Sequence, residues 1–379
     1  MIPSKLPHIG TTIFTKMSAL ARQHGAINLS QGFPDFPVDT KLTAYLYEAT
    51  KQGHNQYAPM EGLLTLREKI AQKYHALYGV DYHPQSEITI TAGATQAIFT
   101  AIATLISKGD EVIMFTPAYD CYAPTVQLFG GVCKFVKLEH TNYSINWTEL
   151  DAQLSDKTKL IILNTPHNPT GSILSDEDMR ELSKRVEKYR CFVISDEVYE
   201  HIIFDGEKHA SACKYPALKE RSFIVASFGK TFHATGWKVG YCVAPEALTK
   251  EFRKAHQFNV FCVNHPAQYA INKYMEDESS YLGLHTFYQQ KRDYFLELTK
   301  GSQFTFLPCK GTYFCVADYS TISALGDVEF CEWMTKEKGL AAIPLSVFYD
   351  DSSDHKLIRL CFAKKEETLE KAAQIIRQL

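Results

Sequence analysis

KLIILNTPHNPTGSILSDEDMRELSKRVEKYRCFVISDEVY, residues 159–199, holds one full alternation of secondary structure. KLIILNTP (159–166) and CFVISDEVY (191–199) each carry a short apolar, β-branched run, the pattern of strands buried on both faces. Between them, SDEDMRELSKRVEKYR (175–190) has helical periodicity, and Ser175 stands three residues before Asp178, close to a capping box. A strand, a helix and a second strand in this order predict a parallel pair joined by a crossover helix.

The same reading extends in both directions. EITITAG (87–93), DEVIMFTPAY (110–119), SFIVASFGK (222–230) and VGYCVAP (239–245) are further strand candidates, and TQAIFTAIATLISKG (95–109) is a further helix. The alternation implies an α/β domain whose mostly parallel sheet is covered on both faces. The last hundred residues change character: TFYQQKRDYFLELTK (286–300) reads as a long amphipathic helix, then come short strands FTFLPC and GTYFCVADY, helix VEFCEWMTKEKG, strand KLIRLCFA and a terminal helix. This is the pattern of a smaller α+β domain. The expected division is an N-terminal arm and part of the small domain over 1–40, a large domain over 41–280 and a small C-terminal domain over 281–379. No repeat, low-complexity tract or Gly/Ser linker interrupts the chain, so the domains are expected to pack together.

The length of 379 residues fits two to three domains at roughly 150 residues each, or one large domain with a smaller companion. Hydrophobic residues at 45% and charged residues at 22% exclude dominant disorder. Lys+Arg 40 against Asp+Glu 43 leaves a net charge of -3, which gives no global attraction to nucleic acid or an anionic membrane. The first twelve residues hold no signal-like apolar run, and no stretch is long enough to cross a bilayer, so a cytoplasmic protein is expected. The ten cysteines are scattered without zinc-type spacing; they read as reduced thiols, and no metal site is expected.

In an open α/β sheet, ligands bind beyond the carboxyl ends of the strands. Gly93-Ala94-Thr95, Tyr119, Asn168-Pro169, Asp196 with Tyr199, and Ser227 with Lys230 all fall there. Gly93-Ala94-Thr95 could present helix N-terminal amides to a phosphate, or be an ordinary strand-to-helix turn. Gly229-Lys230-Thr231 mimics the tail of a P-loop, but Ile224 stands where that loop needs glycine, and no G-x-G-x-x-G follows a strand. Asp196 after an apolar strand is either a helix cap or a carboxylate awaiting a cation. Lys230 is either a surface lysine or a desolvated amine suited to forming a Schiff base. Together they suggest pyridoxal phosphate, whose ring nitrogen takes a carboxylate and whose aldehyde takes a lysine.

SFGKTFHATGWKVGY (227–241), NTPHNPTG (164–171), SDEVYE (195–200) and QGFPDFP (31–37) resemble the fold-type I, class I/II aminotransferases over nearly the whole chain. SKLPHIGTTIFTKMSALA (4–21), NQYAPMEG (55–62), AAIPLSVF (341–348) and LIRLCFAKKE (357–366) most resemble the bacterial methionine aminotransferases of the kynurenine and glutamine transaminase branch. The resemblance implies a large domain with a mostly parallel seven-stranded sheet, a smaller α+β domain, pyridoxal 5'-phosphate as cofactor (pyridoxamine phosphate in mid-cycle), and ping-pong transfer from a neutral amino acid to a 2-oxo acid. It implies Lys230 as the aldehyde-binding general base, Asp196 at the ring nitrogen, Tyr199 and Asn168 at the phenolic oxygen, and Tyr119 on the ring face. Phosphate would meet Gly93, Ala94, Thr95, Ser227 and Lys238, the last in place of the arginine of many relatives, with Tyr57 arriving from a second subunit of a homodimer with shared sites.

Arg359 would clamp the substrate carboxylate with Asn168 and the backbone at Gly32; read without the resemblance it could equally be an edge-strand salt bridge. Asn168-Pro169 matches a cis X-Pro site of the family. Phe14 and Phe261 would line the side-chain pocket, or else be interface core. Cys262 and Thr95 stand where the kynurenine enzymes carry histidine and tyrosine, and no spare arginine awaits a dicarboxylate. Methionine is therefore the first expected donor, with glutamine and aromatic amino acids next. Rival readings are β-elimination on cysteine S-conjugates, kynurenine or glutamine transamination at the same site, and a regulatory protein that kept the fold, although no DNA-binding segment is appended.

Overall fold

The computed structural model describes residues 2–140 and 142–379. Its main sheet has seven strands: β1 (Ile88–Thr91), β2 (Glu111–Thr116), β3 (Val132–Lys137), β4 (Thr158–Asn164), β5 (Phe192–Asp196), β6 (Ser222–Ser227) and β7 (Gly240–Val243). Across the sheet they run β1-β7-β6-β5-β4-β2-β3. Neighbours from β6 to β3 are parallel. Strand β7 alone is reversed, antiparallel to both β6 and β1.

Strand periodicity sends alternate side chains to opposite faces, and the two faces carry separate cores. Leu160, Ile162, Ile194, Phe223 and Val225 pack with Ala97, Ile98, Ala101 and Ile102 of the helix Gly93–Leu105. Ile161, Leu163, Val193, Ile224 and Ala226 face the other way, into a core shared with Met179, Leu182 and Val186 of the helix Asp176–Tyr189. Each fully buried aliphatic side chain stabilises the fold by about 1.5–3 kcal/mol. The crossover helix Asp176–Tyr189 starts as its sequence predicts: Ser175 Oγ accepts from Asp178 N–H, and the Asp178 carboxylate accepts from Ser175 N–H, a complete capping box.

The C-terminal region builds a second sheet in the order Ile343–Pro344, Leu357–Cys361, Phe314–Asp318, Thr305–Phe306, antiparallel throughout. The helices Leu284–Leu298 and Glu366–Gln378 accompany it. The helix starting at Asp327 continues past Trp333 as a π-helical turn over Met334–Lys338. The N-terminal arm is woven into this region: Ile27–Asn28 pair in parallel with Leu340–Ala341, and the Cys361 N–H donates to the Leu29 carbonyl at 2.9 Å. Beyond it, Asp35 accepts from the Lys365 N–H at 2.5 Å and from the Thr368 hydroxyl at 2.7 Å, at the start of the last helix.

Candidate active site

Strands β1, β2, β4, β5 and β6 point the same way, so their carboxyl ends share one edge. A cleft opens there, lined by Gly93, Ala94, Thr95, Tyr119, Asn168, Asp196, Tyr199, Ser227, Lys230 and Lys238. Lys238 reaches this edge because β7 runs in reverse, which puts the residues before its first strand position beside the ends of its neighbours. Sequence reasoning missed Asn164, Val198 and Thr235, which also line the cleft.

Asp196 ends β5 in a buried position. Its Oδ2 accepts from the Tyr122 hydroxyl at 2.6 Å and its Oδ1 from the Val198 N–H at 3.3 Å. Desolvation lifts its carboxyl to about 6, against the pull of those two hydrogen bonds and of the Lys230 charge. Asn164 frames it, donating from Nδ2 to the Asp196 carbonyl at 2.9 Å and accepting from the Asn168 N–H at 2.8 Å. The Asn168-Pro169 bond is cis, as the sequence motif implies.

Lys230 sits on the short helical turn after β6. It is no surface lysine: its Nζ donates to the Gly32 carbonyl at 3.1 Å and to the Tyr313 hydroxyl at 2.9 Å. Burial lowers it to about 8, with the Arg359 and Lys238 charges pushing the same way. Gly32 contributes its carbonyl to this arrangement. A Cβ at residue 32 would lie 2.6 Å from the Phe314 ring, so only glycine lets the backbone come this close.

At the other end of the cleft, the helix Gly93–Leu105 begins with the unpaired N–H groups of its first turn. The Lys238 ammonium lies over Gly93, 3.3 Å from where a Cβ would stand. An ammonium and a helix N-terminus together make a site for a dianion.

Arg359 lies on the interior strand Leu357–Cys361 and is 1% exposed, which rules out the edge-strand salt bridge. Its Nη1 donates to Asn168 Oδ1 at 2.6 Å and its Nη2 to the Ser30 carbonyl at 3.0 Å. Its Nε has no partner. The guanidinium stacks on Phe314, with 3.8 Å to the ring centroid, and Phe14 and Phe348 lie 5.4 and 5.5 Å away. Asn168 Oδ1 is engaged by Arg359, and its Nδ2 hydrogens are available to donate to a ligand.

Of the expected residues that do not line the cleft, Arg359 and Gly32 border it through Asn168 and Lys230 and Phe14 lies beside Arg359, whereas Tyr57 and Phe261 stand apart from it in a single chain. Tyr57 is 80% exposed and Phe261 47% exposed, their rings edge to face at 5.1 Å on the surface. Tyr122, Tyr313 and Ser30 hold the predicted groups in place and were not singled out as site residues. Tyr122 opens the helix Tyr122–Leu128 three residues after Tyr119.

Residues 24–376 match the family model for aminotransferase class I and II, and the chain belongs to that family. It is a transaminase. It is 54% identical to the methionine aminotransferase of Escherichia coli, covering 100% of this chain and 99% of the relative. It is 35% identical to a kynurenine–oxoglutarate transaminase of Dictyostelium discoideum, covering 98% and 94%. An E. coli structure described as having a methionine aminotransferase function superposes with a TM-score of 0.98 at 54% identity, covering 100% of both chains. The N-succinyldiaminopimelate aminotransferase of Mycobacterium tuberculosis follows the same path with a TM-score of 0.96 at 33% identity over 100% of both chains. Among the described residues, no helix is long and apolar enough to cross a membrane.

Proposed function

We propose that this transaminase uses pyridoxal phosphate to move the amino group of a neutral amino acid, methionine foremost, to a 2-oxo acid. The observation that carries the cofactor reading is one cleft with a lowered lysine, a raised carboxyl and an anion seat at separate stations. A buried carboxylate without a cationic bond partner suits a protonated ring nitrogen, and the unpartnered Arg359 Nε suits an incoming carboxylate. Lys238, the amides of Gly93, Ala94 and Thr95, and Ser227 would hold the phosphate. Tyr199 and Asn168 Nδ2 would donate to the phenolic oxygen, and Tyr119 would cover a ring face.

When bound, the cofactor supplies an electron sink for the pair left behind at the substrate's Cα. The chain's own residues do the rest. Asp196 keeps the ring nitrogen protonated. Lys230, driven towards its neutral form by burial, would take the proton from Cα and deliver it to the cofactor's aldehyde-derived carbon. Arg359 fixes the α-carboxylate and so determines which Cα bond faces Lys230.

Substrate choice rests on the walls around Arg359. Phe14, Phe314 and Phe348 surround the guanidinium with aromatic rings, a lining suited to a thioether or aromatic side chain. The E. coli relative's named activity points the same way. A homodimer with shared sites is supported by the exposed aromatic pair Tyr57 and Phe261. A cytoplasmic setting agrees with ten cysteines that are all unpaired.

The test is a half-reaction with each donor alone. Methionine, glutamine, kynurenine or aspartate is added to the holoenzyme without oxo acid, and the shift of visible absorbance from the aldehyde to the amine form of the cofactor is followed. Fast conversion by methionine and slow conversion by aspartate are expected, with none in Lys230→Ala. Faster conversion by aspartate overturns the substrate reading, and pyruvate release from a cysteine S-conjugate without conversion reassigns the enzyme as a lyase.

A further inference from the structure

Tyr313 is 0% exposed, lies just ahead of the strand Phe314–Asp318, and has no place in the chemistry set out so far. Its hydroxyl lies 2.6 Å from the Gly32 carbonyl and 2.9 Å from Lys230 Nζ. A tyrosine hydroxyl has one hydrogen. The Gly32 carbonyl has none to offer, so the hydroxyl must donate there, and its oxygen is left to accept from Lys230. The same carbonyl accepts a second Lys230 N–H at 3.1 Å. The three groups form a closed triangle in which every direction of donation is determined.

A neutral lysine amine has two N–H bonds and one lone pair. With both N–H bonds taken by Gly32 and Tyr313, the lone pair has only the remaining tetrahedral direction. We propose that Tyr313 is a positioning residue that aims the lone pair of the released Lys230 amine at the substrate's Cα, with the Gly32 carbonyl as the second anchor. After proton uptake the third N–H of the ammonium occupies that same direction, from which the proton taken at Cα can be delivered to the cofactor's aldehyde-derived carbon instead of back to Cα. Burial holds the Tyr313 phenol well above its ordinary range, so it acts as a fixed neutral acceptor and exchanges no proton itself. The packing limits its movement: its ring meets Tyr199, Tyr288 and Phe314 at centroid distances of 5.1, 5.6 and 4.9 Å.

Tyr288 supplies an internal control. It is as deeply buried, it touches Tyr313, and its hydroxyl has no hydrogen-bond partner. Tyr313→Phe and Tyr288→Phe therefore remove the same atom from adjacent aromatic sites, and only the first should disturb Lys230.

The expected result for Tyr313→Phe is a fall in kcat of roughly ten- to a hundred-fold, a share of the usual contribution of a positioned general base, with the KM for methionine within about two-fold. The kinetic isotope effect of Cα-deuterated methionine should rise, because proton transfer becomes the slow step. A readout independent of turnover is the pH dependence of pyridoxal phosphate uptake by the apoprotein. Losing an acceptor disfavours the ammonium, so the midpoint near pH 8 should move to lower pH. Tyr288→Phe should leave all three unchanged. A ring-difluorinated tyrosine at 313 keeps the shape while weakening the acceptor, and should raise the isotope effect in part even if the phenylalanine variant folds poorly.

The proposal is overturned if Tyr313→Phe matches Tyr288→Phe in isotope effect and uptake profile, or if the fluorinated residue changes neither. It rests on Lys230 as the base. Failure of that reading would appear as turnover in Lys230→Ala, whereas failure of this one leaves Lys230→Ala inactive and Tyr313→Phe normal.

Discussion

Asp196 shows how a single residue can be unfavourable for the empty protein and necessary for the loaded one. Its folded value of about 6 lies above the ordinary 3.8 of an aspartate, so the folded state binds that proton more tightly than the unfolded chain. The stability it provides is present in acid and is lost as pH rises through about 6. By pH 7.5 the difference amounts to about 3 kcal/mol in the apoprotein. Apo Asp196→Asn should therefore melt a few degrees above the apo wild type at pH 7.5, with the gap closing below about pH 5. The same substitution should cripple the half-reaction with methionine, because an amide does not hold the ring nitrogen protonated. Calorimetry of the two apoproteins checks the first part; a wild type that melts as high as the variant at pH 7.5 would count against the buried, ionised carboxylate.

At the level of elements, the start of the helix Gly93–Leu105 combines two requirements at one position. Gly93 has φ of 77°, a left-handed conformation that an L side chain adopts at a cost of roughly 1–2 kcal/mol, and its missing Cβ leaves room for Lys238. Gly93→Ala should lower the thermal midpoint and also weaken phosphate binding, raising the dissociation constant for pyridoxal phosphate by roughly ten-fold for each ~1.4 kcal/mol lost. Spectrophotometric titration of the apoprotein reads that constant; unchanged affinity would show that Lys238 does not need the space. Six of the seven strands were legible because their runs are apolar or β-branched and are bounded by polar, Gly or Pro residues. Strand β3 was not, since it lies at the sheet edge with Val132 exposed and its side chains only partly covered. For the same reason Asp196 and Lys230 stood out in the sequence while Tyr313 did not. In GTYFCVADY it reads as one more core aromatic, and the carbonyl that gives it meaning is 281 residues away.

For the whole molecule, the outlying positions of Tyr57 and Phe261 make a geometric prediction about assembly. If Tyr57 completes a neighbour's site, Tyr57→Ala and Lys230→Ala fail in different places. A heterodimer of the two then has one site bearing both defects and one site with neither. Mixing and reassembling the variants should restore about half of the native sites per heterodimer, with native cofactor affinity at those sites. If Tyr57 served its own chain, every site in the mixture would keep a defect and no recovery would appear.

The arm threaded along the cleft has a consequence for how the enzyme is made. Ser30 waits for Arg359, 329 residues further on, and Asp35 waits for Lys365, 330 residues further on. A ribosome adding roughly 5–20 residues per second leaves the arm without its partners for tens of seconds. During that interval the main sheet can fold around Lys230 and Asp196 while the carboxylate clamp is still incomplete. A nascent chain should therefore acquire a hold on the cofactor before it acquires one on the substrate, and ribosome-bound intermediates stalled before residue 357 should bind pyridoxal phosphate yet leave methionine untouched.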